Sequence, residues 1–509
     1  MVAGVTLMAA CASPAQPVAI DSHRTPDASE SAGATTSPST SEPSTSSSGE
    51  QSAATTNSAS TTTAPGTPSR STSVGDRRYP RLGSADIDVD HYDVDLTYDA
   101  DAVAFSGRIV VSGRFVNATD RIALDDAGPA VTAVTGDAGA LSYTQADDEL
   151  LVTLGSVASP GAEFAVTVDF TSAVPDSGDF MERAGLFRNE TGPGVWSVNE
   201  PDGTSTWLPV NDHPTDKATW HFAYTVPDGL SAIANGELVG TTRGDASGSS
   251  TWTWDQREPM ASYLVLLLIG DYQTEDSGQS STGVELESAA ETDDVGDLDN
   301  YAELVDRQLA YLTDQFGPYP FDRFGIALAD SASGLAMETQ GKPLFSRQDL
   351  DGSVGYFQHL LLSHEMAHQW FGDAVSPATW DDIWLNEGWA TYAEWMWLDH
   401  EGLDTLEGLA ERALAGVAHS GGPVSQPDDL FGNVTYDGGG AALHALRLTI
   451  GDEAFFAGAR AWVTDHMDSS ASTDDFQATM EQASGRELDA FFDTWIHAPN
   501  RPETFPTSS

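Results

Sequence analysis

The chain has 509 residues, 78 acidic against 22 basic side chains, and a formal net charge of −56. Such a surface would repel a phosphate backbone, which argues against a nucleic-acid partner, and the length asks for two folded domains. The single cysteine, Cys11, excludes an internal disulfide framework, and the only lysines are Lys217 and Lys342.

In chain order, "MVAGVTLMAAC" (residues 1–11) is a short apolar run closed by small residues and Cys11. It resembles the lipobox that ends a bacterial lipoprotein signal peptide, although no basic residue precedes it. The implied expectation is a lipid anchor on Cys11, with the protein on the extracellular face of the cell membrane as a lipoprotein, or secreted. Residues 12–76 are rich in Ser, Thr and Pro and nearly devoid of large apolar side chains. They cannot bury enough surface to offset their ordering entropy, so a disordered tether is expected, reaching about 45 Å as a random coil. Residues 77–275 carry alternating or short apolar runs such as "HYDVDLTYD", "FSGRIVVSGRFVN", "AEFAVTVDF" and "TWHFAYTVPDG", the pattern of an antiparallel β domain. "YLVLLLIG" (263–270) is too short to span a membrane and reads as a buried strand. After a polar, acidic stretch the period becomes helical. Residues 276–502 are expected to form a second, mainly helical domain, with residues 503–509 as a tail. Helices are anticipated in "LDNYAELVDRQLAYLTDQFG", "GYFQHLLLSHEMAHQWFGD", "GDEAFFAGARAWVTDHM", "STDDFQATMEQASG" and "RELDAFFDTWIHA".

The chemistry concentrates at "HEMAHQW". His364 and His368 lie four apart, so on a helix both imidazoles project from one face and reach a single zinc ion. Glu365 adjoins the first of them and reaches a metal-bound water without ligating. Glu387, in "WLNEGWATYAE", supplies a third ligand from a second helix. Three protein ligands leave one coordination position open, as catalytic zinc requires. His359, His419 and His444 have no partner at ligand spacing.

These residues, H-E-x-x-H followed after eighteen residues by the glutamate of "NEG", resemble the aminopeptidase N family of gluzincin zinc metallopeptidases, in a short form lacking the family's C-terminal helical domain. The resemblance implies a fold of class α+β: an N-terminal antiparallel β domain, then a thermolysin-like mixed α/β, mainly helical, zinc catalytic domain. It implies one zinc ion on His364, His368 and Glu387, with Glu365 as general base and Glu394 steadying a ligand histidine. "GLAMETQ" resembles the segment whose glutamate, here Glu338, binds the substrate's α-amine, with Thr339 replacing the usual asparagine. "NEPDGTSTWLPVNDHPTDKATW" supplies a second amine-binding residue, Glu200. "NVTYDGGGAALHALR" supplies the transition-state tyrosine, Tyr436, followed by Gly438 where a basic residue is frequent. The implied activity is removal of N-terminal residues from peptides with a free N-terminus, by a monomer. A zinc endopeptidase or narrowly specific peptidase using the same site, and a non-catalytic binding lipoprotein, are the alternatives.

Overall fold

The computed structural model describes residues 72–243, 248–419 and 421–507. Cys11 with its leader, the tether through residue 71 and the last two residues of the tail lie outside the described residues.

Strand Ile87–Asp99 shows the alternation expected of a half-buried strand: Tyr92, Val94, Leu96 and Tyr98 are buried, while Asp95, Thr97 and Asp99 face solvent. It lies inside an eight-stranded sheet ordered Glu237–Arg243, Ser249–Met260, Ala218–Pro227, Ile87–Asp99, Ala104–Phe115, Glu163–Ala173, Ala130–Gly136 and Gly139–Ala140. One pair departs from the antiparallel expectation: Ile87–Asp99 and Ala218–Pro227 run parallel, with His91 opposite Thr219. Other strands separate these two in the chain, so no hairpin dictates their relative sense. Aromatic packing ties them, Tyr92 stacking on Trp220 at 4.1 Å. A second sheet, buried except at Arg188, orders Ser231–Ala234, Leu267–Gly270, Val195–Val198 and Gly185–Arg188. The apolar run at 263–270 contributes its last four residues to this sheet and begins in a 3-10 turn, Ser262–Leu264.

A strand runs through the expected boundary at residue 276. Tyr272–Gln279 pairs antiparallel with Glu285–Glu291, and this hairpin forms one side of the catalytic-domain sheet. The sheet continues through Ala327–Ala329 and Leu344–Ser346 to the edge strand Ala336–Met337. The polar, acidic stretch after which the period becomes helical is therefore a sheet edge, where exposed strands carry charge in place of apolar side chains.

Nine helices are found among the described residues: α1 (Val295–Leu298), α2 (Ala302–Phe316), α3 (Tyr356–His368), α4 (Trp384–His400), α5 (Leu406–Val417), α6 (Gly439–Ile450), α7 (Asp452–His466), α8 (Thr473–Ser484) and α9 (Asp489–Trp495). None is long and apolar enough to cross a membrane. α6 begins at Gly439, the second of three consecutive glycines. Its start touches α4 backbone to backbone: a Cβ on Gly388 would lie 2.8 Å from the Cα of Gly439, and the converse distance is also 2.8 Å. The glycines thus serve close helix approach.

Two boundary expectations change. Residues 72–76, assigned to the tether, are folded onto the domains. The buried Asp76 carboxylate accepts the backbone N–H groups of Arg78, Tyr79 and, from the catalytic domain, Trp380 at 2.7 Å. Arg77 and Arg78 both pair with Asp381 at 2.7 Å. At the other end Phe505, assigned to the tail, stacks on Trp495 at 5.8 Å and meets His444 edge-on at 4.8 Å. Composition marked both segments as polar; a few specific contacts hold them.

Gly388→Ala should drive a methyl group into the α6 backbone, costing about 1–3 kcal/mol as other overpacked sites do. A lower thermal midpoint is expected; an unchanged midpoint would show that α4 and α6 separate freely.

Candidate active site

α3 runs without glycine or proline from its cap at Gly355, whose N–H donates to the Gln358 side chain at 3.0 Å, to the end of the H-E-x-x-H sequence. Its last turns are wholly buried, and the rings of His364 and His368 sit 4.8 Å apart on one face. α4 packs beside it in the opposite sense: Trp397 Nε1 donates to His359 near the start of α3, while Glu387, in the first turn of α4, meets the two histidines near the end. Both Nε2 atoms converge on Glu387 Oε2, from His364 at 3.2 Å and from His368 at 3.4 Å. The ligating atoms of all three residues lie within 4.8 Å of one another, and all three side chains are buried.

The remaining imidazole nitrogens are held from outside. His364 Nδ1–H donates to Glu394 Oε1 at 2.5 Å, and His368 Nδ1–H donates to the Phe371 carbonyl at 3.2 Å. Both rings therefore present Nε2 to the same point, the usual way protein scaffolds orient metal-binding histidines. Glu394 stands seven residues after Glu387, two turns along the same helix face, as the spacing implied. The carbonyl that holds His368 carries no sequence signal, because any residue offers one.

Three further residues named from sequence arrive at this place. Glu338, directly after the edge strand Ala336–Met337, groups with Glu365 and His368, and again with Glu200 and Glu387, each trio within 4.8 Å. Glu200 follows strand Val195–Val198. Its neighbour Asn199 is locked by donating to the Val265 carbonyl at 2.7 Å and accepting from Trp207 Nε1 at 3.0 Å. Tyr436 sits in a single π-turn, Val434–Gly438, that leads into α6, with its ring 6.1 Å from that of His364 and inclined by 22°. The glycine contact between α4 and α6 brings this turn to the site.

The electrostatics ask for positive charge. Burial opposes protonation of His368, yet the carboxylates of Glu338 and Glu387 lift it to about 9. Burial likewise opposes protonated His364, and Glu387 and Glu394 outweigh it to raise that group well above the imidazole range. Burial pushes Glu365 up to about 8, with Glu338 and Glu387 adding to the rise against the two histidines. Glu387, for which burial favours the neutral acid, is nevertheless brought to about 2 by His368 and His364. Glu387 Oε1, Glu365 Oε2 and Glu338 Oε1 are buried without a hydrogen-bond partner among the described residues. Two nitrogens and a carboxylate oxygen aimed at one point, amid such unsatisfied oxygens, fit a divalent cation of the zinc type.

Residues 88–264 match the Peptidase M1 N-terminal domain, and residues 300–495 match the Peptidase family M1 domain. The chain belongs to peptidase family M1. A solved M1 zinc metallopeptidase from Deinococcus radiodurans superposes with a TM-score of 0.75 at 31% identity, covering 86% of this chain and 99% of that one. A mutant of that enzyme bound to a Tyr-Ser-Ala substrate gives a TM-score of 0.76 at 30% identity over 86% and 99%. Aminopeptidase N of Lactococcus lactis is 28% identical over 323 residues, 58% of this chain and 38% of that protein. Aminopeptidase 2 of Candida albicans is 25% identical over 443 residues, 80% and 46%. The chain spans between 34% and 54% of the length of the curated relatives it matches. Within the M1 family zinc is the cofactor of this site, and His364, His368 and Glu387 are the residues here that fit it.

Removing the carboxylate charge that orients His364, by Glu394→Gln, should weaken zinc binding about 10–100-fold, as losses of such outer partners do. Competition with a zinc-sensitive chelator measures it; unaltered affinity would show that Glu394 does not tune the ligand.

Proposed function

We propose that this M1 chain is a zinc aminopeptidase that hydrolyses the first peptide bond of peptides with a free N-terminus. The observation that carries this reading is the convergence of Glu200 and Glu338 on Glu387, from two different domains, into one buried trio. A peptide α-ammonium is the substrate group that such a pair of carboxylates recognises, and seizing it sets the scissile bond one residue from the chain end. An endopeptidase has no use for an ammonium site there.

Zinc, when bound by His364, His368 and Glu387, supplies a Lewis acid that lowers the pKa of water to about 7 and polarises a carbonyl. Glu365 is the proton carrier: its Oε2, buried and without a hydrogen-bond partner among the described residues, takes a proton from the attacking water and delivers it to the leaving nitrogen. A carboxyl raised by burial is well matched to a group that must both accept and return a proton near neutrality. The Tyr436 hydroxyl donates to the scissile carbonyl oxygen as negative charge builds there. Glu394 and the Phe371 carbonyl keep both imidazoles in the tautomer that leaves Nε2 for the metal.

Glu365→Gln is expected to abolish turnover of aminoacyl amides while zinc stays at one per chain. N-acetylated versions of cleaved peptides should survive intact. Residual turnover in the variant, or cutting of blocked peptides, would overturn the assignment.

We also propose attachment through a lipidated Cys11. The apolar run closed by alanines before the lone cysteine supports it. Cys11→Ser should move the protein from the membrane fraction to the medium; retention would argue against the anchor.

A further inference from the structure

The amine-binding carboxylate and the metal ligands sit on different elements, so their separation depends on whatever touches both. The side chain of Gln369 does. It follows His368 directly, at the end of α3, and is completely buried. Its Nε2 donates to the carbonyl of Glu338 at 3.3 Å and to that of Glu365 at 3.4 Å. Its Oε1 accepts from the Gly341 N–H at 2.7 Å and from the Tyr319 hydroxyl at 3.4 Å.

The bonds to Glu338 and Gly341 grip the two ends of one tight turn. Within it the Lys342 N–H donates to the Thr339 carbonyl at 3.0 Å, and Gly341 takes φ +75°, a conformation glycine adopts without steric cost. The turn needs this support, because strand pairing stops one residue before Glu338: Met337 is the last residue of the edge strand and pairs with Leu344. The β domain adds a second hold, buried Asn235 donating to the Gln340 carbonyl at 3.1 Å. The segment carrying Glu338 is thus braced from the zinc helix by one side chain and from the β domain by another. Gln369 makes its link directly beside a metal ligand, and its amide is used at both oxygen and nitrogen.

We propose that Gln369 is a positioning residue that sets the distance between the zinc site and the amine carboxylate of Glu338. It acts through the backbone of Glu338 and so determines how far from the N-terminus the cut falls. The proposal rests on the aminopeptidase reading above.

The test uses the full zinc-loaded chain with Gln369→Met, which keeps the length of the side chain and removes its strong donor and acceptor. kcat/KM for an aminoacyl amide should fall about tenfold, carried mainly by KM. Calorimetry should show alanine amide binding weakened by a similar factor, whereas N-acetylalanine amide, which offers no ammonium, binds as to the parent protein. Zinc should stay at one per chain. Equal weakening of both amides, no weakening of either, or loss of zinc would make Gln369 a packing residue and overturn the proposal. If Gln369→Met fails to fold, Gln369→Asn, whose amide is one methylene short, takes its place: selective loss of alanine amide binding supports the positioning role, and any of the other outcomes overturns it. A parent protein that binds zinc yet cleaves no aminoacyl amide would sink the aminopeptidase reading instead. An active parent with unaltered amine discrimination in the variant would sink only the inference about Gln369.

Discussion

Five carboxylates, those of Glu200, Glu338, Glu365, Glu387 and Glu394, are buried around two imidazoles, and the structure of both domains is arranged to hold them there. Bringing one carboxylate out of water costs several kcal/mol unless it is paired, and like charges close together raise that cost. The site reveals the tension in opposite directions at neighbouring groups: Glu387 is drawn down to about 2 by the imidazoles, while Glu365, a few ångströms away, is pushed up to about 8 by burial and its acidic neighbours. A divalent metal on the histidines relieves part of it, and in the proposed function a substrate ammonium relieves the rest. Recognition of substrate and binding of cofactor are then two halves of one charge balance.

A cluster so costly needs a rigid frame, and the frame is built from large side chains and from missing ones. Trp370, Trp380, Trp384, Trp389 and Trp397 are fully buried around α3 and α4, and Phe371 stacks on Trp389 at 4.3 Å, so the two ligand helices cannot slide. On the opposite side of α4 the absence of side chains matters. Gly388 and Gly439 let α6 approach to backbone contact, which brings the turn of Tyr436 within reach of His364. The β domain is part of the frame as well, since it supplies Glu200. The strap at Asp76, Arg77 and Arg78 ties it to the catalytic domain at Trp380 and Asp381, and Trp380 in turn packs edge-on against Tyr263 at 5.3 Å.

The zinc-binding spacing was legible in the sequence itself, whereas Glu200, Glu338, Tyr436 and the role of Glu394 were named only through the family resemblance. Helical periodicity alone places His364 beside His368 and Glu394 two turns beyond Glu387, and the structure keeps each relation. What could not be read is set by contacts between distant residues. The strand Tyr272–Gln279 was not legible because an exposed edge strand carries the same polar residues as a loop. The start of α6 looks like a loop because a glycine run is a breaker until another helix backbone lies against it. Residues 72–76 look like tether because a few specific contacts, among them those of the buried Asp76, and not composition, hold them. Gln369 adjoined the motif in plain view, yet its partners Glu338 and Gly341 are far away in the chain and nothing local announces them.

Why the two cations should sort themselves correctly follows from the donors. The trio His364, His368 and Glu387 offers two nitrogens and one oxygen, whereas the trio Glu200, Glu338 and Glu387 offers oxygen alone. Zinc favours the imidazole nitrogens and can accept ligands only along its few coordination directions. An ammonium has no use for a neutral imidazole Nε2 already engaged by a metal, and its N–H groups are satisfied by carboxylate oxygens. Glu387 belongs to both trios. A carboxylate shared in this way places the ammonium next to the metal by construction, so the distance from chain end to scissile bond is short and nearly fixed. In the proposed function, exopeptidase character follows from one glutamate serving two neighbours, with the remaining geometry left to the side chains that brace Glu338 from behind.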